Sequence, residues 1–374
     1  MDLESYVKGI LKDIRLDGSK AVKKYSKKFD GYSEDFKVER SEYDCTDTLD
    51  EDDKETIDRV IQRVREVHEE QERGDRLSYK DDSLFGLIEV PIERVGIYVP
   101  GGKPLPSTLI MAGVPATIAG VEDIVVSTPP TDGKIDPYIL YIAEKLGIKE
   151  IYKLGGVQAI GAMAYGVEMK GVDKIFGPGN KYVNEAKRQV YGEVGIDGLA
   201  GPSEIAIVAD EDAEEEYVQE DLRSQLEHDD DAKAWLFTTS DGLADRVEDE
   251  RVSVKVFSDL KQCIEESNRI APEHLEILTE YPRSLLKYVK NAGAVYLGDY
   301  TPAAAADYFL GVNHILPTGG ASKFESVLTV DDFVKKISVA ESGRSDYMDD
   351  RELGTKLASI ENMESHKKAM EVRR

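Results

Sequence analysis

Cysteine is nearly absent: Cys45 and Cys263 are the only two in 374 residues, too few for a disulfide framework, a zinc ribbon or an iron–sulfur cluster. Positive charge is scarce as well. Forty-eight Lys and Arg face 74 Asp and Glu, a net charge of -26, which repels phosphate backbones and anionic lipid and argues against nucleic acid or a membrane surface as partner. The acidic runs at 47–53, 211–216 and 229–231 fit either a salt-adapted cytoplasm or simply a well-solvated surface. Long apolar runs are missing too. The most apolar stretch, Leu105 to Val126, is interrupted by Pro106, Pro115, Glu122 and Asp123, so it reads as helix, turn and strand rather than a membrane span. The first residues, Met-Asp-Leu-Glu-Ser, carry neither the basic nor the apolar region of an export signal. These absences predict a soluble protein of a reducing cytoplasm, and 41% hydrophobic residues predict a folded one.

What is present is periodicity. Residues 1 to about 75 place apolar side chains at helical spacing, as in Val7, Ile10, Leu11 and Ile14, then Ile57, Val60, Ile61, Val64 and Val67. From Val95 short β-branched runs at 96–99, 124–127, 151–154 and 174–176 alternate with helical segments at 108–119, 137–146, 158–165 and 181–191. A second set follows: a strand at 204–209, a helix at 213–227, a strand at 234–238, then another helix and a strand ending at Val256. Alternation with short loops predicts two parallel sheets flanked by helices, both Rossmann-like although neither carries a clean Gly-x-Gly-x-x-Gly. After Val330 no strand pattern is visible, and helical, charged segments run to the end. There is no internal repeat.

Histidine is the usual proton carrier and metal ligand near neutral pH, and four of the five, His228, His274, His314 and His366, lie in the second half. Gln225 and His228, three apart at the end of the 213–227 helix, can share a metal, or the histidine can simply cap the last carbonyls. In Ala271-Pro-Glu273-His274 an extended backbone points the carboxylate and imidazole to opposite faces, so they form an acid/base pair only if the chain turns there. Thr301-Pro302 reads as an N-cap and first turn, which leaves Asp307 beyond the reach of the helix dipole. The turn-rich Gly311 to Gly320 segment around His314 suits a binding loop or a long surface connection. Glycine-rich turns at 99–102, 155–158 and 177–181 each follow a parallel strand, the place where open α/β sheets bind nucleotides.

As a set these residues resemble the histidinol dehydrogenase family, zinc enzymes that complete histidine biosynthesis. The resemblance is carried by Arg94-Val-Gly-Ile-Tyr98-Val-Pro-Gly-Gly102, Gly177-Pro-Gly-Asn-Lys-Tyr-Val-Asn-Glu-Ala186, Ala200-Gly-Pro-Ser203-Glu204, Ser224-Gln-Leu-Glu-His228, Ala271-Pro-Glu-His-Leu275 and Asn313-His-Ile-Leu-Pro-Thr318, and it spans nearly the whole chain. It implies Zn²⁺ held by Gln225, His228, Asp307 and His366, a nitrogen and oxygen shell in keeping with the dearth of cysteine. It implies Glu273 and His274 as catalytic residues, with Ser203, His314 and Glu361 also at substrate-contacting positions beside the metal ligands. Tyr98, Gln158 and Asn180 match the family's NAD contacts.

By the same resemblance the reaction is NAD-dependent oxidation of L-histidinol through L-histidinaldehyde to L-histidine, in two hydride transfers. His274 would act as acid and base, and Glu273 would activate water. The implied architecture is a domain-swapped homodimer. An N-terminal helical segment spans 1–20, an α/β domain at 21–97 and 204–328 carries most zinc and catalytic residues, an NAD-binding α/β domain spans 98–203, and a tail at 329–374 crosses to the partner so that His366 and Glu361 complete its site. The chain departs from the family pattern in its 101–107 loop, one residue short and without an aromatic before Pro106-Ser107, and in a shorter amino-terminal region. The rival readings are a dehydrogenase of the same fold acting on another amino alcohol or a sulfonate, which Ser203, His314 and Glu361 disfavour, and a binding module that has lost catalysis, which intact Glu273-His274 disfavours.

Overall fold

Short β-branched runs become strands here because they are buried on both faces, as parallel sheets require. A computed structural model of the protein describes residues 2–102, 105–227 and 230–373. His228 and part of the shortened 101–107 loop lie outside the described residues. The chain opens with helices α1 (Leu3–Asp17), α2 (Ser19–Phe29) and α3 (Glu51–Glu69), each burying one apolar stripe. Strands β1 (Arg76–Lys80) and β2 (Ser83–Pro91) come next.

Then the alternation begins: β3 (Arg94–Tyr98), α4 (Pro106–Ile118), β4 (Asp123–Thr128), α5 (Pro137–Lys145), β5 (Glu150–Lys153), α6 (Gly156–Tyr165), β6 (Lys174–Phe176), α7 (Lys181–Val190) and β7 (Gly195–Ile196). Its repeat is β8 (Glu204–Ala209), α8 (Glu215–Leu226), β9 (Lys233–Thr238), α9 (Asp241–Ala244), β10 (Val252–Val256), α10 (Leu260–Ile270), β11 (His274–Leu278), β12 (Ala294–Leu297) and α11 (Ala303–Tyr308). The chain ends with β13 (Val334–Glu341), α12 (Arg344–Ile360) and α13 (Glu364–Glu371).

The first parallel sheet has the order β5-β4-β3-β6-β7 and the second β10-β9-β8-β11-β12. Each steps outward from its first strand, then returns to that strand's other side, so each has a switch point, between β3 and β6 and between β8 and β11. Helices α1 and α2 pack with α6 and α7 on one face of the first sheet, while α3, α4 and α5 cover the other. The two parallel sheets belong to one compact unit, 2–71 with 92–333.

The second unit, 72–91 with 334–373, holds a three-stranded antiparallel sheet, β1-β2-β13, and the last two helices. This corrects the expectation that no strand follows Val330. Every residue of β1 is exposed and most of β13 is too, so no buried face imposes a period of two. Backbone pairing alone defines these strands: Val334 to Glu341 lie antiparallel to Pro91 to Leu84.

Candidate active site

Whether Glu273 and His274 can serve one substrate depended on a turn, and the turn is there. Ala271 closes α10 in the left-handed region, φ 60°, and the chain bends at Glu273 immediately before β11 begins at His274. The two side chains then converge, Glu273 Oε1 lying 3.7 Å from His274 Nε2. Glu273 Oε2 accepts a hydrogen bond from the Glu204 amide at 3.0 Å. On the other side of the imidazole, Nδ1 meets the Tyr296 hydroxyl at 3.0 Å. Both catalytic candidates line a cavity of about 310 Å³ together with Ser203, Asp307 and His314. Burial pushes the Glu273 carboxyl up to about 8, a shift the Glu204 amide opposes and the Glu204 and Asp307 carboxylates reinforce. A carboxyl so placed is a stronger base once ionised than one in water.

The second sheet supplies these groups from its amino edge, since Glu204 and His274 open β8 and β11. Helices antiparallel to those strands end at the same edge, which is how α8 brings Gln225 and α11 brings Asp307 there. The first sheet contributes from its carboxyl edge, through Gly177, Pro178 and Gly179 just after β6. Gly177 sits at φ 110°, and a Cβ there would come within 2.0 Å of the Tyr98 carbonyl oxygen. Its amide donates to Asp197 Oδ2 at 2.6 Å and its carbonyl accepts from Lys187 Nζ at 3.0 Å. Lys187 and Asp197, both almost fully buried, form an ion pair that closes this clamp.

His314 Nδ1 lies 3.1 Å from Asp307 Oδ1. The residue before it holds the loop: Asn313 Nδ2 donates to the Met111 carbonyl at 2.7 Å and meets His68 Nε2 at 3.2 Å, while His68 Nδ1 meets the Val64 carbonyl at 2.8 Å. Because a carbonyl only accepts, His68 must donate from Nδ1 and accept at Nε2, the neutral tautomer. Burial holds its pKa below the usual 6.5. Thr301 is not the cap of α11; its hydroxyl donates to the Leu297 carbonyl at 3.1 Å. Pro302 takes the cap position, and the free Ala303 amide donates to Glu276 Oε1 at 2.5 Å. Glu276 is fully buried. Burial first, then the nearby Asp221 carboxylate, push it well above its ordinary value.

A second cavity, of about 680 Å³, opens at the carboxyl edge of the first sheet, and Tyr98, Gln158 and Asn180 all line it. The Tyr98 hydroxyl accepts from the Gly156 amide at 3.1 Å, and burial pushes its pKa up to about 12. Asn180 caps α7, its Oδ1 accepting from the amides of Tyr182 and Val183. All three glycine-rich turns meet here: Gly101, Gly156 and Asn180 come one from each. The Gly177–Tyr182 segment therefore separates the two cavities, its first half facing one and its second half the other.

Of the four residues implied as zinc ligands, Gln225 is buried with an Nε2 that has no hydrogen-bond partner among the described residues, and Asp307 lines the cavity that holds Glu273 and His274. His228 lies outside the described residues, and His366, on α13, belongs to the second unit, as does Glu361 at the end of α12. Among the described residues no three His, Cys, Asp or Glu side chains group as a metal site.

The family model for histidinol dehydrogenase matches residues 1–256 and 249–374. The chain belongs to the histidinol dehydrogenase family. It is 58% identical over 373 residues to histidinol dehydrogenase of Thermococcus kodakarensis, covering 100% of this chain and 99% of that protein. It is 42% identical over 401 residues to the enzyme of Thermotoga maritima, covering 100% and 94%. The crystal structure of histidinol dehydrogenase from Elizabethkingia anophelis superposes with a TM-score of 0.95 at 34% identity, covering 100% of this chain and 92% of that one. Four residues of this family member escaped the sequence reading, namely Asp30, His68, Glu276 and Tyr296. Each acts through a partner remote in the chain, so no local spacing marks it.

Proposed function

We propose that the protein oxidises L-histidinol to L-histidine through L-histidinaldehyde, with NAD as oxidant and a bound Zn²⁺, at sites shared between two subunits. Membership of the family makes it an oxidoreductase of histidine biosynthesis. The observation that carries the finer reading is the convergence of Glu273 and His274 on the cavity that holds Asp307, His314 and Ser203.

Gln225, His228, Asp307 and His366 would hold the metal. The placement of Gln225 and Asp307 supports this, since α8 and α11 end at the same edge of the second sheet; the Gln225 side-chain oxygen, not its amide nitrogen, would face the cation. Tyr98, Gln158 and Asn180 would hold NAD, and Gln158 also has a buried side-chain oxygen, Oε1, with no partner. Bound Zn²⁺ would supply a Lewis acid that orients the substrate's imidazole and amine, and bound NAD a hydride acceptor.

His274 is placed to take the hydroxyl proton in the first step, its Nδ1 held by Tyr296 and its Nε2 turned to the cavity wall beside Glu273. Glu273 is placed to take a proton from water that adds to the aldehyde, the Glu204 amide fixing one oxygen and leaving the other to act. His314, oriented by Asp307, and Ser203 would contact the substrate.

One further proposal rests on the second unit. Its α12 exposes Leu353, Leu357 and Ile360 on one face, an apolar stripe that suits a second copy of the chain, with Glu361 and His366 carried into that copy's site. No helix among the described residues is long and apolar enough to cross a membrane, which fits the cytoplasmic location proposed here. The test is NADH absorbance with L-histidinol, with and without a chelator. Metal-dependent NADH formation is expected, and none from the pure, metal-loaded dimer would refute the assignment.

A further inference from the structure

Asp30 ends α2, where the helix dipole disfavours a carboxylate. What holds it there is the start of α6: its Oδ2 accepts from the Gly155 amide at 3.2 Å and from Gln158 Nε2 at 2.9 Å. The place where a phosphate could sit on that helix terminus is thus taken by a side chain of the protein itself. Because an ionised carboxylate only accepts, it also fixes the amide of Gln158, turning the nitrogen inward and leaving Oε1 as the free end. Gln158 is completely buried, and Oε1 has no partner among the described residues. Asp30 Oδ1 accepts no hydrogen bond from the described residues. The two oxygens lie over neighbouring glycines: a Cβ on Gly155 would stand 3.1 Å from Asp30 Oδ1, and one on Gly156 would stand 3.2 Å from Gln158 Oε1. Both residues line the second cavity, and Asp30 is the one carboxylate among its described lining residues.

The wall therefore offers paired acceptors and wants a ligand with paired donors. In a nicotinamide dinucleotide the vicinal donors are ribose hydroxyls. The catalytic cavity lies across the Gly177–Tyr182 segment, so a nicotinamide reaching toward it leaves the adenosine half on the far side. We infer that Asp30 is a specificity-determining residue: with Gln158 Oε1 it accepts the hydroxyls of the adenosine ribose, and its negative charge rejects a dinucleotide carrying a phosphate on that ribose. This rests on the reading of the second cavity as the NAD site. A phosphate there would bring acceptors against acceptors and negative charge against a half-buried carboxylate, with little solvent to screen it.

The test is binding, read apart from turnover. The dimer is titrated with NADH and NADPH by nicotinamide fluorescence, for the native protein, Asp30→Asn and Asp30→Glu. The native protein is expected to bind NADH far more tightly than NADPH. Asp30→Asn, which keeps the shape and loses the charge, should narrow that ratio by roughly tenfold or more, while Asp30→Glu should keep it. If Asp30→Asn does not fold, Asp30→Ser, which also removes the charge, takes its place and should narrow the ratio. A ratio unmoved by the neutral variant that folds, or a native protein that binds both cofactors equally, overturns the inference and leaves the NAD site standing. A native protein that binds neither overturns both.

Discussion

Glu273 shows how a single residue's role is set by what surrounds it. Its burial and its carboxylate neighbours raise its pKa to about 8, so the carboxyl is protonated and inert as a base at lower pH and becomes competent above that value. Oxidation of L-histidinaldehyde should therefore climb with pH through an inflection near 8. Glu273→Gln should cut that step by roughly a hundredfold or more and abolish the inflection, since a positioned base contributes on that scale. Single-turnover rates with the aldehyde across pH test this, and an inflection that survives in Glu273→Gln would assign it to another group. The histidines divide by environment in the same way. His274 and His314 line the cavity beside Glu273, whereas His68, far from the other histidines in the chain, is a buried strut.

Between elements the decisive contacts are buried polar ones. His68 on α3 reaches Asn313, and Asn313 also bonds the Met111 carbonyl of α4, so two helices fix the loop that presents His314. Protonation of His68 would remove its acceptor and place a charge in the core. The pKa in the folded protein lies below 6.5, so the unfolded chain binds more protons. The stability contributed by neutral His68 is fully present above about 6.5 and is lost as pH falls through that value toward the lowered one. Chemical denaturation at about pH 7.5 and 5.5 should show a larger loss of stability in the native protein than in His68→Gln, which has no proton to gain. Equal losses would mean that the strut does not sense pH. Glu276 ties β11 to α11 by the same kind of bond, doing for the Ala303 amide what Thr301 was expected to do.

At the scale of the whole molecule, one compact unit contains Glu273, His274 and both cavities, while two of the residues proposed to serve the site, Glu361 and His366, lie in another. The proposed exchange of the second unit between subunits makes a sharp prediction. His228→Ala and His366→Ala proteins should each be inactive, and heterodimers of the two should regain part of the native activity, because one of their two sites has every ligand. Tagged, purified heterodimers assayed by NADH formation test it, and no recovery would refute shared sites.

The alternation of β-branched runs with helices makes the two parallel sheets legible in the sequence, because burial on both faces writes itself into every residue of a strand. The motifs likewise single out Glu273 and His274, which the structure brings to one cavity, and Tyr98 and Asn180, which it brings to another. Pairing that buries no side chains leaves no trace in the pattern, and so the β1-β2-β13 sheet is invisible there. Equally invisible are the bend at Glu273 that brings its side chain to His274, the placement of Asp30 over α6, and the meeting of Asn313 with His68. These depend on contacts between residues far apart in the chain, where burial and hydrogen bonding act together, and only the tertiary structure decides them.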